Sequence, residues 1–247
     1  MNRKLSRVAD QVGQQLFSGD WPRLRMALRR ALRPARLGSL GTTRPLSTCW
    51  GHERGNPVDR YYIEAFLTEH RQSIRGRVLE VKDSFYTTRF GTAVEAAEVL
   101  DIDATNPHAT VVADLSAAHS VGSDQFDCFI LTQTLQLILD TRAALEHAHR
   151  ILRPGGALLA TVPAVSRIVP ATRNAMDYWR FTVASCTALF EHTFGPGQVQ
   201  VRSYGNVTSA IAFLAGAVQE DLRPDQLNAT DDYFPVVIAV CATKRGP

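Results

Sequence analysis

Residues 76–86 read Gly76-Arg77-Val78-Leu79-Glu80-Val81-Lys82-Asp83-Ser84-Phe85-Tyr86, an apolar run that ends in an acid and then turns polar. A short apolar run bounded by polar residues reads as a buried strand. Upstream, residues 57–73 suit a helix, with Pro57 near the first turn and Tyr61, Tyr62, Phe66 and Leu67 spaced to share a face. Downstream, strand-like runs recur at 97–102, 110–113, 126–131, 157–162, 199–204 and 234–242. A helical pattern fits 141–151, with Pro154-Gly155-Gly156 expected to close it. Strands that alternate with helices imply an α/β fold, a doubly wound and mostly parallel sheet covered on both faces.

The chain has 247 residues, of which 45% are hydrophobic and 21% charged. That balance suits one globular core and excludes disordered or collagen-like classes. The net charge of +3 is uneven: residues 1–45 hold ten Lys/Arg against Asp10 and Asp20, a local +8, which leaves −5 for the remainder. Within 9–37, Leu16, Phe17, Leu24, Leu28, Ala31 and Leu32 fall at helical spacings with an arginine-rich opposite face. Such an arm packs on the body or on a partner chain, meets an anionic surface or ligand, or serves as a targeting segment. Residues 38–57, rich in Gly, Thr, Ser and Pro, read as a linker. The expected organisation is a basic helical extension over 1–45 and one α/β domain over 46–247.

The four cysteines lie far apart without CxxC spacing, so neither a zinc site nor a disulfide scaffold is expected, and no metal is assigned. Nothing approaches the apolar length of a membrane span, and no apolar signal core follows Met1. On that ground a cytoplasmic protein without a membrane partner is expected, and nucleic acid is not the expected partner because the basic charge is confined to one arm.

In a doubly wound sheet the ligand lies outside the carboxyl ends of the strands, near the point where strand order reverses. Polar groups follow nearly every strand here: Glu80, Lys82 and Asp83 after the first, Asp101 and Asp103 after the second, Asp114 after the third and Thr132 after the fourth. A carboxylate ending the second strand can take both hydroxyls of a ribose, and one after the third can accept from an adenine amino group.

The order of these motifs resembles the class I S-adenosylmethionine (SAM)-dependent methyltransferases. Arg77-Val78-Leu79-Glu80-Val81, Phe126-Asp127-Cys128-Phe129-Ile130-Leu131 and Leu152-Arg153-Pro154-Gly155-Gly156 carry the resemblance, which covers about residues 56–243. Asp177-Tyr178-Trp179-Arg180-Phe181-Thr182 is similar to an element after the fifth strand in one branch of these enzymes. The resemblance implies a Rossmann-type methyltransferase fold and SAM as cofactor. It places Glu80 near the methionine or ribose end, Asp101 or Asp103 on the ribose hydroxyls, and Asp114 with Leu115 around adenine. Lys82, Asp83 and Thr132 complete the expected cofactor site.

The chain departs from the family in one loop. Where an acid-x-Gly-x-Gly-x-Gly pattern is usual, because glycine lets the backbone approach the ligand at positive φ, the three glycine places hold Lys82, Ser84 and Tyr86. Three roles are open to Lys82: pairing with the SAM carboxylate, binding an anionic substrate or leaving group in a pocket that no longer takes SAM, or pointing to solvent.

On the acceptor side, Arg54, Tyr61, Tyr62 and Trp179 are the expected substrate contacts, and Asp177, Tyr178, Arg180 and Lys82 the expected catalytic groups. Aromatic rings supply walls, arginine grips an anion, and a carboxylate can take a proton; Tyr62, Trp179 and Phe181 equally suit a core, and Asp177 with Arg180 at i, i+3 equally suits a surface ion pair. The resemblance implies methyl transfer from SAM to a small specialised metabolite, with anionic acceptors among those expected. Its alternative is a SAM-independent displacement or ring closure in natural-product biosynthesis, such as aziridine formation with loss of sulfate. A third reading is a non-enzymatic subunit, with the extension as its homo- or hetero-oligomer contact.

Overall fold

The computed structural model describes residues 21–32, 38, 43–170 and 176–246, and the chain divides into two compact units, 1–44 and 45–247. In the first unit, helix α1 spans Trp21–Leu32. The rest of the arm expected to be helical, residues 9–20 and 33–37, lies outside the described residues.

The second unit is built on one seven-stranded sheet: β1 (Arg75–Val81), β2 (Ala93–Asp101), β3 (Val111–Val112), β4 (Phe126–Thr132), β5 (Leu152–Pro163), β6 (Val199–Tyr204) and β7 (Val237–Thr243). Their order is β3-β2-β1-β4-β5-β7-β6, and β7 alone of these strands runs against its neighbours. The order reverses between β1 and β4, whose registered pairs are Val78 with Cys128, Leu79 with Phe129 and Glu80 with Ile130. Their carboxyl ends therefore flank the crevice where such folds hold ligands.

The central strands β4, β5 and β7 are buried on both faces, which is why they read as continuous apolar runs. Alternate residues of β4 enter different cores: Phe129 and Leu131 pack with Leu145 and Phe190 on one face, Cys128 and Ile130 with Tyr62 and Phe66 on the other. Helix α2 (Val58–Glu69) covers the second face through Tyr62, Ile63, Phe66 and Leu67. The other core takes α4 (Thr141–Ile151), capped by Asp140, and α5 (Val183–Phe194), capped by a reciprocal Thr182–Ser185 pair. The remaining helices are α3 (Phe85–Phe90), α6 (Val207–Ala215) and α7 (Pro224–Asn228).

Two sequence expectations are corrected. Pro154-Gly155-Gly156 does not form a loop after α4: β5 begins at Leu152 and runs through these residues, with Leu152 already paired to Phe126. The described part of the expected linker, 43–57, is docked rather than free. Leu46 N–H donates to the Ala215 carbonyl, Ser47 is buried, and Pro57 bridges to Val218. The closeness depends on Gly216 (φ +77°), where an added Cβ would lie 2.6 Å from the Ser47 carbonyl oxygen.

Candidate active site

The site is built where β1 ends. Glu80 is 1% exposed, and its carboxylate accepts from Tyr86 N–H (3.0 Å), Thr87 N–H (2.7 Å) and the Thr87 hydroxyl (2.7 Å). The acid thus ties β1 to the first turn of α3. Burial raises its pKa above the usual carboxylate value, and the bonds from Thr87 and Tyr86 oppose that rise without cancelling it.

Lys82 follows with φ +73°, the left-handed backbone that glycine adopts without strain. The glycine is gone but its conformation is kept. The Lys82 N–H donates to the Leu100 carbonyl at 2.9 Å, and its own carbonyl accepts from the Asn106 side-chain amide at 2.7 Å. The lysine side chain is exposed, and its ammonium meets no acidic partner among the described residues. Asp83, also exposed, accepts from Phe85 N–H and shapes the turn into α3. Tyr86, at the third glycine place, is 5% exposed and takes a hydrogen bond from Arg60 on its hydroxyl at 2.7 Å.

The ends of β2 and β3 supply the remaining acids. Asp101 Oδ2 accepts from Asn106 Nδ2 at 2.6 Å and its Oδ1 from Asp103 N–H at 2.9 Å. Asn106 therefore joins the turn after β1 to the acid ending β2. Asp103 is bonded to the Thr105 amide and hydroxyl, which hold its pKa below the usual value. Asp114 Oδ1 accepts from the Ser116 amide and hydroxyl. Leu115 is a core residue, 5% exposed.

Across the crevice, Thr132 ends β4 opposite Thr161 of β5, and Gln133 follows at φ +47°. Lys82 and Gln133, one past each strand at the reversal point, are both non-glycine residues held in left-handed backbone. Strain of this kind persists where surrounding structure over-determines it, and it concentrates at functional sites. Gln133 Nε2, Gln136 Oε1 and Thr161 Oγ1 are buried here without a hydrogen-bond partner among the described residues.

The segment after β5 reaches the same end of the sheet. Tyr178 N–H donates to the Gln136 carbonyl at 2.8 Å, the Trp179 indole to the Ile138 carbonyl at 3.0 Å, and Phe181 N–H to the Pro163 carbonyl at 3.0 Å. Tyr178 and Trp179 are each about two-fifths exposed. Asp177 differs from the expectation of a free base. Its side chain is 1% exposed, bonds Arg180 through both oxygens (2.5 and 2.9 Å), and accepts from Val169 N–H at 2.8 Å. The Arg180 bond holds its pKa below the usual value. Arg180 is spent on the same clamp and on the Arg167 carbonyl.

The expected substrate contacts do not all converge. Arg54 pairs with Asp221 at 3.3 Å, and Tyr61 donates to Asn228. Tyr62, 2% exposed, packs on Tyr204 in the core. Instead, an apolar groove of about 490 Å³ opens past β5, lined by Ala164, Val165, Phe181, Val207, Ile211 and Phe234 among others. A second depression, about 540 Å³, lies outside the β1 turn against Asp83, Ser84, Phe85 and His108. Asn106 and Gln136 escaped the sequence reading. For Asn106 the available signal was the polar turn Asp103-Ala104-Thr105-Asn106 directly after β2.

The residues fit SAM in kind. The backbone path of the glycine turn survives at Lys82, whose unpaired cation suits a carboxylate, and Asp101 keeps accepting capacity beyond its two bonds.

Residues 81–160 match the sequence profile of a methyltransferase domain. No curated protein sequence is similar enough to match. Among solved structures the chain is similar to a SAM-dependent methyltransferase from Archaeoglobus fulgidus, with TM-score 0.50 and 12% identity over 75% of this chain and 94% of that one. It is also similar to the [4+2]-cyclase SpnF, with TM-score 0.50 and 13% identity over 83% and 87% of the two chains. A SAM-dependent methyltransferase from Mesorhizobium loti aligns at TM-score 0.48 and 14% identity, over 75% and 97%. At these identities the structural likeness concerns the fold.

Proposed function

We propose that the chain, whose residues 81–160 match the profile of a methyltransferase domain, transfers a methyl group from SAM to a small molecule with an apolar body. The observation that carries this reading is the polar cluster at the β1/β4 reversal point, where Lys82 keeps a glycine's backbone beside Asp101 and Asn106. Bound there, SAM supplies an electrophilic methyl group.

The chain's own part is to hold and orient. Lys82 pairs with the carboxylate of the methionine end, Asp101 and Asp103 take the ribose hydroxyls, and Asp114 accepts from the adenine amino group. Asn106 fixes the Asp101 carboxylate, and Glu80 fixes the turn that carries Lys82. Thr132 and Gln133 border the crevice from β4. The acceptor's apolar body lies in the groove of Val165, Phe181, Val207, Ile211 and Phe234. Alignment of two reactants and exclusion of water supply most of the rate in such a displacement, so few proton-transfer groups are needed. Asp177 is a positioning residue, because its carboxylate is consumed by Arg180 and Val169.

One observation favours a second reading. The exposed, unpaired Lys82 ammonium stands where bare glycine backbone is usual, which suits stabilisation of a departing anion in a SAM-independent ring closure. Incubation with methyl-labelled SAM and a panel of apolar amines, phenols and acids separates the two. Label transfer to an acceptor supports methyl transfer, and turnover of a substrate in the absence of SAM supports the alternative.

A further inference from the structure

Helix α1 spans Trp21–Leu32, and its sequence holds four arginines and no acidic residue. At 100° per residue, Leu24, Leu28 and Leu32 fall within one narrow stripe, Arg25 at its border and Arg30 on the far side. Its leucines are exposed among the described residues: Leu24 is 45% exposed, Leu28 52% and Leu32 80%. Arg25 and Arg30 are likewise exposed and bond no described residue. An apolar stripe of this kind normally finds a cover, and the question is which chemistry matches both faces.

The charge selects among covers. A second copy of α1 would set arginines against arginines with no acid to neutralise them, which disfavours self-association through this helix. A nucleic acid would satisfy the arginines and leave the leucines in water. An anionic bilayer surface meets both, since lipid phosphates take the guanidinium groups while the leucines enter the boundary between headgroups and acyl chains. The surrounding residues 1–45 extend the same field, at a net +8.

We propose that α1 is an interfacial helix that seats this protein on an anionic membrane surface, lying in the plane of the interface. This is binding at a surface, and no helix among the described residues is long and apolar enough to cross a membrane. The inference does not rest on the reaction proposed above, and it places the enzyme where apolar acceptors accumulate.

The test is co-sedimentation of the full chain with phosphatidylcholine vesicles that contain about one-third phosphatidylglycerol, against pure phosphatidylcholine. The expected result is at least about tenfold stronger partitioning onto the anionic vesicles, falling steeply as salt is raised. Leu24→Glu with Leu28→Glu is expected to abolish binding, and Arg25→Gln with Arg30→Gln to weaken it about tenfold. All variants are expected to keep the wild-type unfolding temperature. No sedimentation, equal binding to both vesicle types, or binding that survives the leucine substitutions overturns the proposal. So does a drop in unfolding temperature on Leu28→Glu, which would show that the stripe is packed against protein. Binding to duplex DNA that is unaffected by the leucine substitutions would assign the arm to nucleic acid instead.

Discussion

Glu80 accepts both donors of Thr87, its backbone amide and its hydroxyl, each at 2.7 Å. Together with the Tyr86 amide these bonds make one buried acid the anchor of the turn that must meet the ligand. Replacement by glutamine puts an amide nitrogen where an acceptor is needed and leaves a buried N–H unpaired. Glu80→Gln is therefore expected to cost roughly 1–3 kcal/mol in chemical denaturation, with the fold retained.

The same acid sets a pH dependence with a definite sign. Because burial raises the Glu80 pKa in the folded state, its contribution is fully present below its unfolded value and is lost as pH rises through the folded value. The stability gap between wild type and Glu80→Gln is thus expected to narrow as pH rises from the usual carboxylate range toward neutrality. A gap that widens with pH would show that the hydrogen bonds, and not burial, dominate.

Lys82 offers a paired substitution. Lys82→Gly removes both the charge and the left-handed strain, worth about 1 kcal/mol before the entropic cost of glycine, whereas Lys82→Ala removes the charge and keeps the strain. The glycine variant is expected to be the more stable of the two. Both are expected to bind SAM about tenfold more weakly or worse, by loss of one charge-assisted contact. Tighter SAM binding by Lys82→Gly would mean that the lysine obstructs the site.

Asp177→Asn tests the clamp on the segment after β5. The buried carboxylate contributes stability above its unfolded pKa and loses it as pH falls through the lowered folded value. Removing it leaves Arg180, one-quarter exposed, without its partner, at an expected cost of about 2–3 kcal/mol, below that of a fully buried pair. Faster limited proteolysis between 165 and 182 is expected to accompany the loss. Unchanged stability with complete loss of activity would return Asp177 to the role of a base.

Much of the fold was legible because the central strands are buried on both faces, so β1, β4, β7 and the second half of β5 announce themselves as short apolar runs between polar turns. β2 was read too short, since its first residues, Ala93, Val94, Glu95 and Ala96, are exposed and Glu95 breaks the apolar run. Pro154-Gly155-Gly156 was misplaced because local turn chemistry was overridden by pairing of Leu152 with Phe126 across the sheet. At the site, the sequence marks which residues end the strands but not which of them are already bonded. The core place of Tyr62 and the i, i+3 pairing of Asp177 with Arg180 were readable from the sequence, whereas the meeting of Arg54 with Asp221 is a contact of tertiary structure that no spacing rule separates from a free side chain. The left-handed backbone at Lys82 is a further feature that its side chain does not announce, since a lysine carries no local signal for positive φ.

The central claim is that a glycine-poor turn still forms a SAM site around Lys82, Asp101 and Asn106. Isothermal titration of the full chain with SAM tests it most directly. Saturable binding at one site per chain, weakened by Asn106→Ala, which frees the Lys82 carbonyl and Asp101 together, is the expected result. Absence of heat, with no shift in unfolding temperature at millimolar SAM, would contradict it.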